Sequence, residues 1–312
     1  MNIIKHRYLF FGISLLVIVP GLIALVLWGL PLGIDFTGGS LLEIRTTQGT
    51  YPTIAQVAAA YSKLSTAQMP ISDPIIQPLG QDGYSIRSRE MDDATKAAVV
   101  AEIEASSGGK LEILNFNQVS ASIGKEVAIR AAGAVALAAI AILLYITYAF
   151  RGVEHSFRYG TAAIIAMLHD ILVVLGVEAI IGHFLGWQAD SLFLTALLTV
   201  IGFSVHDTIV VFDRIRENSH VLRKLEYETV VNHSIVQTLD RSINTQLTVL
   251  ITLLSLVLFG GESIRHFVII LMVGILSGTY SSIFNAAPIL VVWENREWRT
   301  WFGRGKKAQE AV

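Results

Sequence analysis

Six apolar stretches, each long enough to cross the hydrocarbon core of a membrane, constrain the fold of this chain more than any other feature. A membrane-spanning helix needs about 20 predominantly apolar residues. The stretches cover residues 8–29, 127–149, 159–182, 191–212, 242–260 and 266–292. Only 15% of the 312 residues are charged and the mean hydropathy is +0.58, which excludes an ordinary soluble domain. The sequence therefore predicts a polytopic α-helical membrane protein with six transmembrane helices.

The first stretch follows Lys5, His6 and Arg7, as the apolar part of a signal peptide would. It is too long for a signal peptide, and no small-residue cleavage site follows it. We therefore expect residues 1–29 to form a cytoplasmic N-terminus and a permanent first transmembrane helix.

Lysine and arginine are concentrated in the loops on one side of the predicted membrane. They are Lys5, Arg7, Arg151, Arg158, Arg214, Arg216, Arg223, Lys224, Arg296, Arg299, Arg304, Lys306 and Lys307. The short loops on the other side, 183–190 and 260–265, contain only Arg265. Because cytoplasmic loops carry the excess of positive charge, we expect both termini, including a basic tail over 293–312, in the cytoplasm and residues 30–126 on the exported side.

The exported segment alternates predicted strands and helices. Strand patterns occur in SLLEIRTT, DPIIQPLG, GYSIRSR and KLEILNFNQV, and helix patterns in YPTIAQVAAAYSKL and MDDATKAAVVAEIEASSGG. The resulting order, β-α-β-β-α-β, is the split arrangement of ferredoxin-like domains. The segment has no histidine and its Ser, Asp and Glu residues are scattered, so we expect a domain that binds or moves something rather than an enzyme.

Several classes of chemistry are excluded by composition. The net charge of −2 gives no indication of nucleic-acid binding, and the absence of cysteine excludes disulfides, thiolate metal sites and cysteine nucleophiles. The tail sequence GRGKK at 303–307 lacks the spacing and the strand–helix context of a phosphate-binding loop. We expect no catalytic residues, no metal site and no cofactor.

The segment GIDFTGGSLLE, residues 33–43, joins the first span to this domain. One interpretation of Asp35, Phe36, Thr37, Gly38 and Gly39 is a turn, in which the glycines adopt positive φ and the polar side chains bond nearby backbone. The other is a flexible hinge that carries the domain. The residues alone leave both open.

Ionisable residues inside the spans are the most informative. His169, Asp170 and Glu178 lie in the third span, and His206 and Asp207 lie in the fourth. Each costs a few kcal/mol at mid-depth in a membrane. These side chains should therefore face the interior of the bundle, face water, or be protonated.

Asp207 precedes Phe212 by five residues, about 8 Å along a helix from the expected end of its span. It should therefore be submerged, with Ser204 one turn away making that side small and polar. His206 points about 100° away from Asp207. It is either a structural histidine with a satisfied hydrogen bond or a titratable group.

The fifth span carries a polar stripe, because Arg241, Thr245, Thr248 and Thr252 recur at helical spacing. In one interpretation the threonine hydroxyls bond their own helix and Arg241 extends to the membrane surface. In the other, Arg241 pairs with Asp207 and the pair breaks on protonation, since a guanidinium favours the ionised carboxylate whereas desolvation favours the neutral one.

Two other patterns predict local structure. Gly274 and Gly278 form a G-x-x-x-G face suited to close helix packing. Residues 213–240 mix charges with an apolar run, which indicates either an amphipathic helix at the membrane surface or a solvated connector.

Four motifs, taken in order, resemble the SecF family of protein-export membrane proteins. They are GIDFTGGSLLE after the first span, His169-Asp170 in the third, GFSVHDTIVVFDRIREN across the fourth and LDRSINTQLT entering the fifth. The resemblance extends over the whole chain. It implies half of a transporter of the resistance-nodulation-division superfamily, with SecD supplying the other half.

The resemblance also implies an auxiliary complex of the Sec translocon that uses the proton-motive force in late preprotein export, located in the bacterial cytoplasmic membrane. The implied partners are SecD, the SecY/SecE/SecG translocon, a small single-span accessory subunit, unfolded preprotein and membrane lipid, with no nucleic acid. The membrane carboxylate of the family falls on Asp207 and its basic partner on Arg241, which together form the expected proton relay. His206 stands where we expect asparagine in relatives, and would add a second proton-sensitive group.

The expected proton path lies at the interface of the fourth, fifth and sixth spans. Residues expected on this path or at adjoining helix interfaces are His206, Ser204, Thr245, Thr248, His169 and Asp170. Two rival functions remain: a small-molecule or lipid exporter of the same superfamily, and a non-conducting assembly subunit in which Asp207 and Arg241 form a permanent bridge.

Overall fold

A computed structural model describes residues 2–66, 69–153 and 155–297, apart from the side chains of Glu262 and Ser263. The described chain contains six helices long and apolar enough to cross a membrane, and a four-stranded antiparallel sheet. The predicted fold class is thus confirmed. The chain divides into two compact units, called here the helical unit (Met1–Leu30, Ala134–Phe184 and Leu192–Val312) and the sheet unit (Pro31–Gly133 and Leu185–Ser191). Most of the predicted basic tail, residues 298–312, lies outside the described residues.

The long helices are α1 (Arg7–Trp28, after a 3-10 turn at Ile4–His6), α5 (Ala121–Ala149), α6 (Ser156–Leu185), α7 (Ser191–Val221), α8 (Tyr227–Phe259) and α9 (Glu262–Ser281). The last span continues through a π-helical turn, Ser282–Ala286, into α10, Ala287–Glu294. Such π turns occur frequently at functional sites because they rotate the side chains that follow.

The prediction for residues 213–240 was wrong, because α7 and α8 extend into this region and leave a connection of only residues 222–226. Polar contacts between the two extensions explain the helical structure. Asn218 donates to the Ser234 hydroxyl at 2.9 Å and to the Gln237 carbonyl at 2.8 Å, and Arg214 donates to the same Gln237 oxygen at 2.6 Å. The charged residues therefore belong to a helical hairpin rather than to a loop or a surface helix.

The sheet unit has the predicted β-α-β-β-α-β order after a single helical turn, α2 (Ile34–Thr37). Its elements are β1 (Gly39–Gln48), α3 (Ile54–Leu64), β2 (Ile75–Leu79), β3 (Gly83–Ser88), α4 (Asp93–Ser107) and β4 (Lys110–Val119). The strands are ordered β2-β3-β1-β4 and every neighbouring pair is antiparallel. Alternate residues of β1, Leu42 and Ile44, are fully buried against Val57 of α3 and Ile103 of α4.

Capping residues define where the two helices of the sheet unit begin. Thr53 accepts a hydrogen bond from the backbone N–H of Gln56, whose side-chain oxygen accepts from the backbone N–H of Thr53, which is a reciprocal capping box. Asp92 accepts from the Thr95 N–H at the start of α4, and hydrogen bonding to the Thr95 side chain and then to its backbone lowers the pKa of Asp92. Gly108, with φ of +71°, ends α4.

Small residues set the packing inside the helical unit. Gly21 of α1 and Gly176 of α6 face each other so closely that a Cβ built on Gly176 lies 2.6 Å from the Gly21 Cα. Gly274 and Gly278 of α9 pack in the same way against Val200 and Ser204 of α7. The close-packing face predicted from G-x-x-x-G is therefore confirmed.

Replacing Gly176 by alanine should destabilise the helical unit by roughly 1–3 kcal/mol, the usual cost of overpacking a tight interface. The added Cβ meets backbone, which does not yield as a flexible side chain does. Thermal unfolding in detergent should show a lower midpoint. Gly12→Ala in α1 is the matched control, since no atom lies within 4 Å of its added Cβ. An equal midpoint for Gly176→Ala and Gly12→Ala would show that α1 and α6 are not packed as described.

Candidate functional site

Asp207 lies where three helices of the helical unit converge. Its Oδ1 accepts a hydrogen bond from the Ser242 hydroxyl of α8 at 3.1 Å, and its Oδ2 accepts from the Ser282 hydroxyl, just after α9, at 3.1 Å. The side chain is half-buried. Two neutral hydroxyl donors orient the carboxylate without supplying a compensating charge. The arrangement therefore suits a group that exchanges a proton.

A cavity of about 110 Å³ adjoins Asp207. Its polar lining consists of Ser204, His206, Ser242, Thr245, Gln246 and Thr279. Gln246 accepts from the Thr279 hydroxyl at 2.6 Å, whereas its buried amide Nε2 has no hydrogen-bond partner among the described residues. A water molecule takes about 30 Å³ of liquid volume, so the cavity has room for a short chain of waters between Gln246 and Asp207.

Arg241 does not pair with Asp207 in the described structure. The position facing the carboxylate is taken by the next residue, Ser242, and no ion pair within 4.0 Å joins Arg241 to Asp207. Neither the predicted switchable pair nor the rival permanent bridge is formed in this state. Arg241, Thr245, Thr248 and Thr252 all lie exposed along α8.

Two of the three threonines of this stripe donate to carbonyls of their own helix. Thr248 donates to the Thr245 carbonyl at 2.7 Å, and Thr252 donates to the Thr248 carbonyl at 2.9 Å. Their hydroxyls follow the first of the two interpretations given to the stripe. Thr245 also lines the Asp207 cavity, so it contributes to the site through position rather than through a bond to the carboxylate.

His206 is exposed at the edge of the same cavity and makes no hydrogen bond to another described residue. The structure thus does not supply the partner that a structural histidine would require. Its role as a second proton-sensitive group stays a prediction.

Asp170 is the most deeply enclosed carboxylate of the candidate site, with 1% of its surface exposed. Its Oδ2 accepts from the hydroxyls of Ser204 at 2.6 Å and Ser281 at 2.7 Å, and its Oδ1 accepts from Ser277 at 2.7 Å. The Nδ1 atom of His169 lies 2.9 Å from Oδ1. Helices α6, α7 and α9 are thus tied together through one carboxylate.

Ser204 connects the two acids. Its hydroxyl donates to Asp170, and its side chain also lines the cavity of Asp207, which lies three residues later on α7. On the far side of Asp170, His169 Nε2 lies 3.1 Å from the Ser14 hydroxyl of α1. The structure therefore brings the predicted residues Ser204, His169, Asp170 and Asp207 into one polar network.

Sequence reasoning missed several members of this network, among them Ser242, Gln246, Ser277 and Ser281. A signal was present in α9, where small residues recur every three or four positions from Gly274 through Ser277 and Ser281. That repeat was interpreted only as close packing. In α8, Arg241 was predicted as the partner of Asp207, and the adjacent Ser242 was not.

The segment with the two glycines forms a packed turn in the sheet unit. Gly38 and Gly39 have φ of +76° and +126°, which a side chain would strain. A Cβ on Gly38 would lie 2.5 Å from the Ala121 Cα, and one on Gly39 would lie 2.6 Å from the Ser88 carbonyl oxygen. The turn interpretation is confirmed. A hinge at this point has no free space, so any movement has to take the start of α5 with it.

Asp35 caps the N-terminus of α7. Its Oδ2 accepts from the backbone N–H of Ser191 at 2.8 Å and from the Ser191 hydroxyl at 2.5 Å. A carboxylate at a helix N-terminus is stabilised by the helix dipole. Backbone bonds reinforce the contact, because the Gly33 N–H donates to the Ala189 carbonyl at 2.7 Å and the Ala189 N–H donates to Pro31 at 2.8 Å.

A second contact joins the same loop to the sheet. Gln77 of β2 donates to the Gly186 carbonyl at 2.5 Å and accepts from Arg87 of β3 at 3.3 Å. Burial lowers the pKa of Arg87 to about 10, and the Asp190 carboxylate opposes that shift. Arg87 therefore stays charged at physiological pH. We call residues 31–35 together with 186–191 the clasp.

No group of three or more His, Asp or Glu side chains among the described residues is arranged to hold a metal ion. The polar network contains donors, acceptors and carboxylates but no cluster of metal-ligand geometry.

Comparison with known protein families first defines the class of protein to which the chain belongs. A family model described as the SecD/SecF GG motif matches residues 26–50, and one described as protein export membrane protein SecD/SecF, C-terminal, matches residues 99–296. These ranges include Gly38 and Gly39 and the members of the Asp170–Asp207 network other than Ser14. The fold and the site are thus those of a SecD/SecF-type export membrane protein.

Individual relatives show to which branch of the SecD/SecF proteins the chain belongs. The protein translocase subunit SecF of Anaerolinea thermophila is 55% identical over 312 residues, covering 100% of both chains, and that of Thermobaculum terrenum is 48% identical over 97% of both. The crystal structure of SecDF from Thermus thermophilus has a TM-score of 0.81 at 31% identity, and the match covers 95% of this chain and 39% of that one. The chain belongs to the SecF family of protein translocase subunits.

Proposed function

We propose that this chain acts with a SecD partner in the bacterial cytoplasmic membrane and uses the proton-motive force to promote late stages of preprotein translocation through the SecY/SecE/SecG channel. The observation that carries the proposal is the position of Asp207. It is a half-buried carboxylate beside a cavity with room for a few waters, on α7, whose first residue, Ser191, is bonded to Asp35. Helix α7 thus carries a proton-exchanging group and is bonded at its start to the segment that precedes the glycine turn.

The first step is protonation of Asp207. Hydroxyl donors bond an ionised carboxylate more strongly than a neutral acid, so protonation weakens its bonds to Ser242 and Ser282. Successive residues on a helix are separated by about 100°. A rotation of α8 by that angle would replace Ser242 with Arg241 opposite Asp207. Once the proton is released, Arg241 in that position would pair with the ionised carboxylate, and the next protonation would weaken the pair.

The second step transmits the change along α7. Asp207 lies 16 residues after Ser191, about 24 Å along the helix. A shift of α7 would pull on Asp35 through the capping bonds, and Asp35 lies three residues before the packed glycine turn. The sheet unit, on the exported side in this proposal, would then move so as to hold an emerging chain or release it.

The free energy released by proton movement is comparable to the cost of such a helix motion. One proton that moves down a potential of 100 mV yields about 2.3 kcal/mol. Weakening two hydroxyl–carboxylate bonds costs roughly 1–3 kcal/mol each. A few protons per cycle therefore suffice to shift the balance between two arrangements of α7, α8 and α9.

The exposed stripe on α8 supports a SecD partner. Arg241 and three threonines lie on the surface of this single chain, and polar side chains in a membrane normally face protein or water. The hydrophobic stretch of α5 is likewise unburied within the chain. A SecDF protein of Bacillus subtilis, 35% identical over 94% of this chain, is so long that the match covers only 38% of it. A second half of similar architecture would cover these surfaces here.

The orientation belongs to the same proposal. The excess of lysine and arginine at the ends of α5, α7 and α10 supports a cytoplasmic position for those ends and for both termini. Residues 30–126 then lie on the exported side, where a translocating chain emerges. Unfolded preprotein, membrane lipid and a small single-span accessory subunit are the further partners proposed for this complex.

Inverted membrane vesicles that contain the translocon and SecD, with or without this chain, test the proposal. With ATP held constant, preprotein translocation is followed with and without a proton gradient. We expect the gradient to increase completed translocation only when the chain is present. An equal increase without the chain would contradict the proposal, and gradient-driven efflux of hydrophobic dyes in the same vesicles would indicate the exporter instead.

Replacing Asp35 by alanine should uncouple the sheet unit from α7. The loss of a helix-capping carboxylate costs about 0.5–2 kcal/mol, so the chain should still fold and bind SecD. We expect most of the gradient-dependent increase to be lost. Asp35→Asn should retain part of it, because its side-chain oxygen can still accept from the Ser191 N–H. A full increase in the alanine variant would show that the clasp does not transmit the motion.

A further inference from the structure

A second acid–base pair lies in the helical unit, apart from Asp207. Glu178 of α6 has 0% side-chain exposure, and its Oε2 lies 2.7 Å from Nε2 of His266 in α9, whose side chain is 17% exposed. The other oxygen, Oε1, is buried and has no hydrogen-bond partner among the described residues. Glu178 is therefore enclosed, whereas His266 is partly accessible.

This geometry is unfavourable for a fixed negative charge. Buried ions are normally hydrogen-bonded at every polar atom, and a buried carboxylate oxygen without a donor costs free energy. Sharing a proton between Glu178 and His266 removes the isolated charge. Uptake of that proton by Glu178 leaves Oε1 as a carbonyl oxygen, which is the cheaper group to leave without a donor. The site therefore suits a carboxyl group that takes up and releases a proton.

Few other charges lie along the neighbouring helices. Within the expected spans, α1 after Arg7, α7 before His206 and α8 after Arg241 contain no Asp, Glu, Lys, Arg or His. Among the side chains that the structure describes, the remaining charged or titratable ones near this end of α6 and α9 are His183 and Arg265. Arg265 is next to His266, and its positive charge favours transfer of a proton from His266 to Glu178.

The pair lies on the same helix as Asp170. Glu178 follows Asp170 by eight residues, about 12 Å along α6. A cavity of about 270 Å³ between α1, α6 and α9 begins at His169 and Ser277 and extends to Val173, which is five residues before Glu178. Its lining is mostly apolar. Val173 lies three residues, about 4.5 Å, after Asp170, so the cavity covers about the first third of the distance between the two acids.

We propose that Glu178 and His266 form a proton-loading site for the Asp170–Asp207 network. This inference rests on the proposed function. His266 takes a proton from water at its other ring nitrogen, Nδ1, at the end of the bundle where α6 ends and α9 begins, and the proton on Nε2 passes across 2.7 Å to Glu178 Oε2. Neutral His266 is then regenerated. Glu178 then releases the proton toward the Asp170–Asp207 network, whose nearest acid, Asp170, lies about 12 Å away along α6, and returns to the carboxylate.

Proton uptake and translocation test this site separately. The full chain with SecD in lipid nanodiscs is titrated from mildly alkaline to mildly acidic pH, as wild type, Glu178→Gln and His266→Gln. The matched control is His183→Gln, an exposed histidine on the same helix. We expect Glu178→Gln to take up about one proton fewer per chain. In vesicles, both pair variants should lose at least half of the gradient-dependent translocation, whereas His183→Gln should retain it.

Three outcomes are distinguishable. If proton uptake is unchanged in Glu178→Gln, the pair does not load protons, whatever happens to translocation. If uptake falls but translocation keeps its full gradient dependence, the site is not on the path, and the loading role is overturned while the proposed function stands. If wild-type chain shows no gradient-dependent translocation, the proposed function fails, and the uptake difference still decides whether the pair binds a proton. A loss of folded Glu178→Gln is checked with Glu178→Asp, which should restore uptake.

Discussion

Replacing Asp170 by alanine should destabilise the helical unit by about 3–5 kcal/mol, the range measured when one partner of a buried charged network is removed. Three serine hydroxyls from α7 and α9 donate to this one carboxylate. Ser281 has a second acceptor in the Gly278 carbonyl at 3.1 Å, whereas no alternative acceptor is found among the described residues for Ser204 and Ser277. Each buried hydroxyl without a partner costs roughly 1–3 kcal/mol. A destabilisation of this size approaches the total stability of many domains.

The measurement is thermal unfolding of the purified chain in detergent, together with its yield in membranes. Asp213→Ala is the matched control, because Asp213 is an exposed carboxylate on the same helix as Ser204 and pairs only with Arg216 at the surface. Asp170→Asn should be intermediate, since its side-chain oxygen still accepts from two hydroxyls. If Asp170→Ala unfolds at the wild-type temperature, the carboxylate does not tie the three helices together.

The fold was predicted from hydropathy and from the periodic spacing of apolar residues, because both signals are strong over long segments. The six spans follow from apolar length alone, and the ferredoxin-like order follows from alternation of strand and helix patterns. The helical extensions beyond the membrane were not predicted, since their stability comes from contacts such as Asn218 with Ser234, which join residues of separate helices. Charge in residues 213–240 masked their helical character.

The candidate site was predicted in its residues but not in its contacts. Asp207 and Asp170 were identified because an ionisable group in an apolar helix is costly. The partner of Asp207 was predicted as Arg241, whereas the structure places Ser242 there. One residue corresponds to about 100° of helix rotation, and sequence gives the spacing along a helix without the rotation that packing imposes on it.

Asp170 and Asp207 also differ in the contacts of the histidine that precedes each of them, and the sequence did not predict this difference. Both occur as His-Asp pairs, yet His169 contacts Asp170 at 2.9 Å while His206 faces outward from Asp207. The difference follows from burial. His169 is enclosed by α1, where Ser14 is available, whereas His206 lies at the exposed edge of its cavity. Asp170 thus joins the helices through enclosed, stable hydrogen bonds, whereas the hydrogen bonds of Asp207 are able to change.

The central claim is that Asp207 couples a proton gradient to preprotein movement. Asp207→Asn keeps the size of the side chain and one acceptor oxygen for Ser242 or Ser282, but it cannot exchange a proton. The variant should therefore fold and copurify with SecD. The matched control is Asp213→Asn, which removes an exposed carboxylate six residues later on α7.

The decisive measurement compares preprotein translocation in inverted vesicles with and without a proton gradient, at constant ATP, for wild type, Asp207→Asn and Asp213→Asn. We expect Asp207→Asn to lose the whole gradient-dependent increase while its ATP-dependent translocation stays at the wild-type level, and Asp213→Asn to match wild type throughout. A full gradient-dependent increase in an assembled Asp207→Asn complex would contradict the account and leave the Asp207 network a structural one.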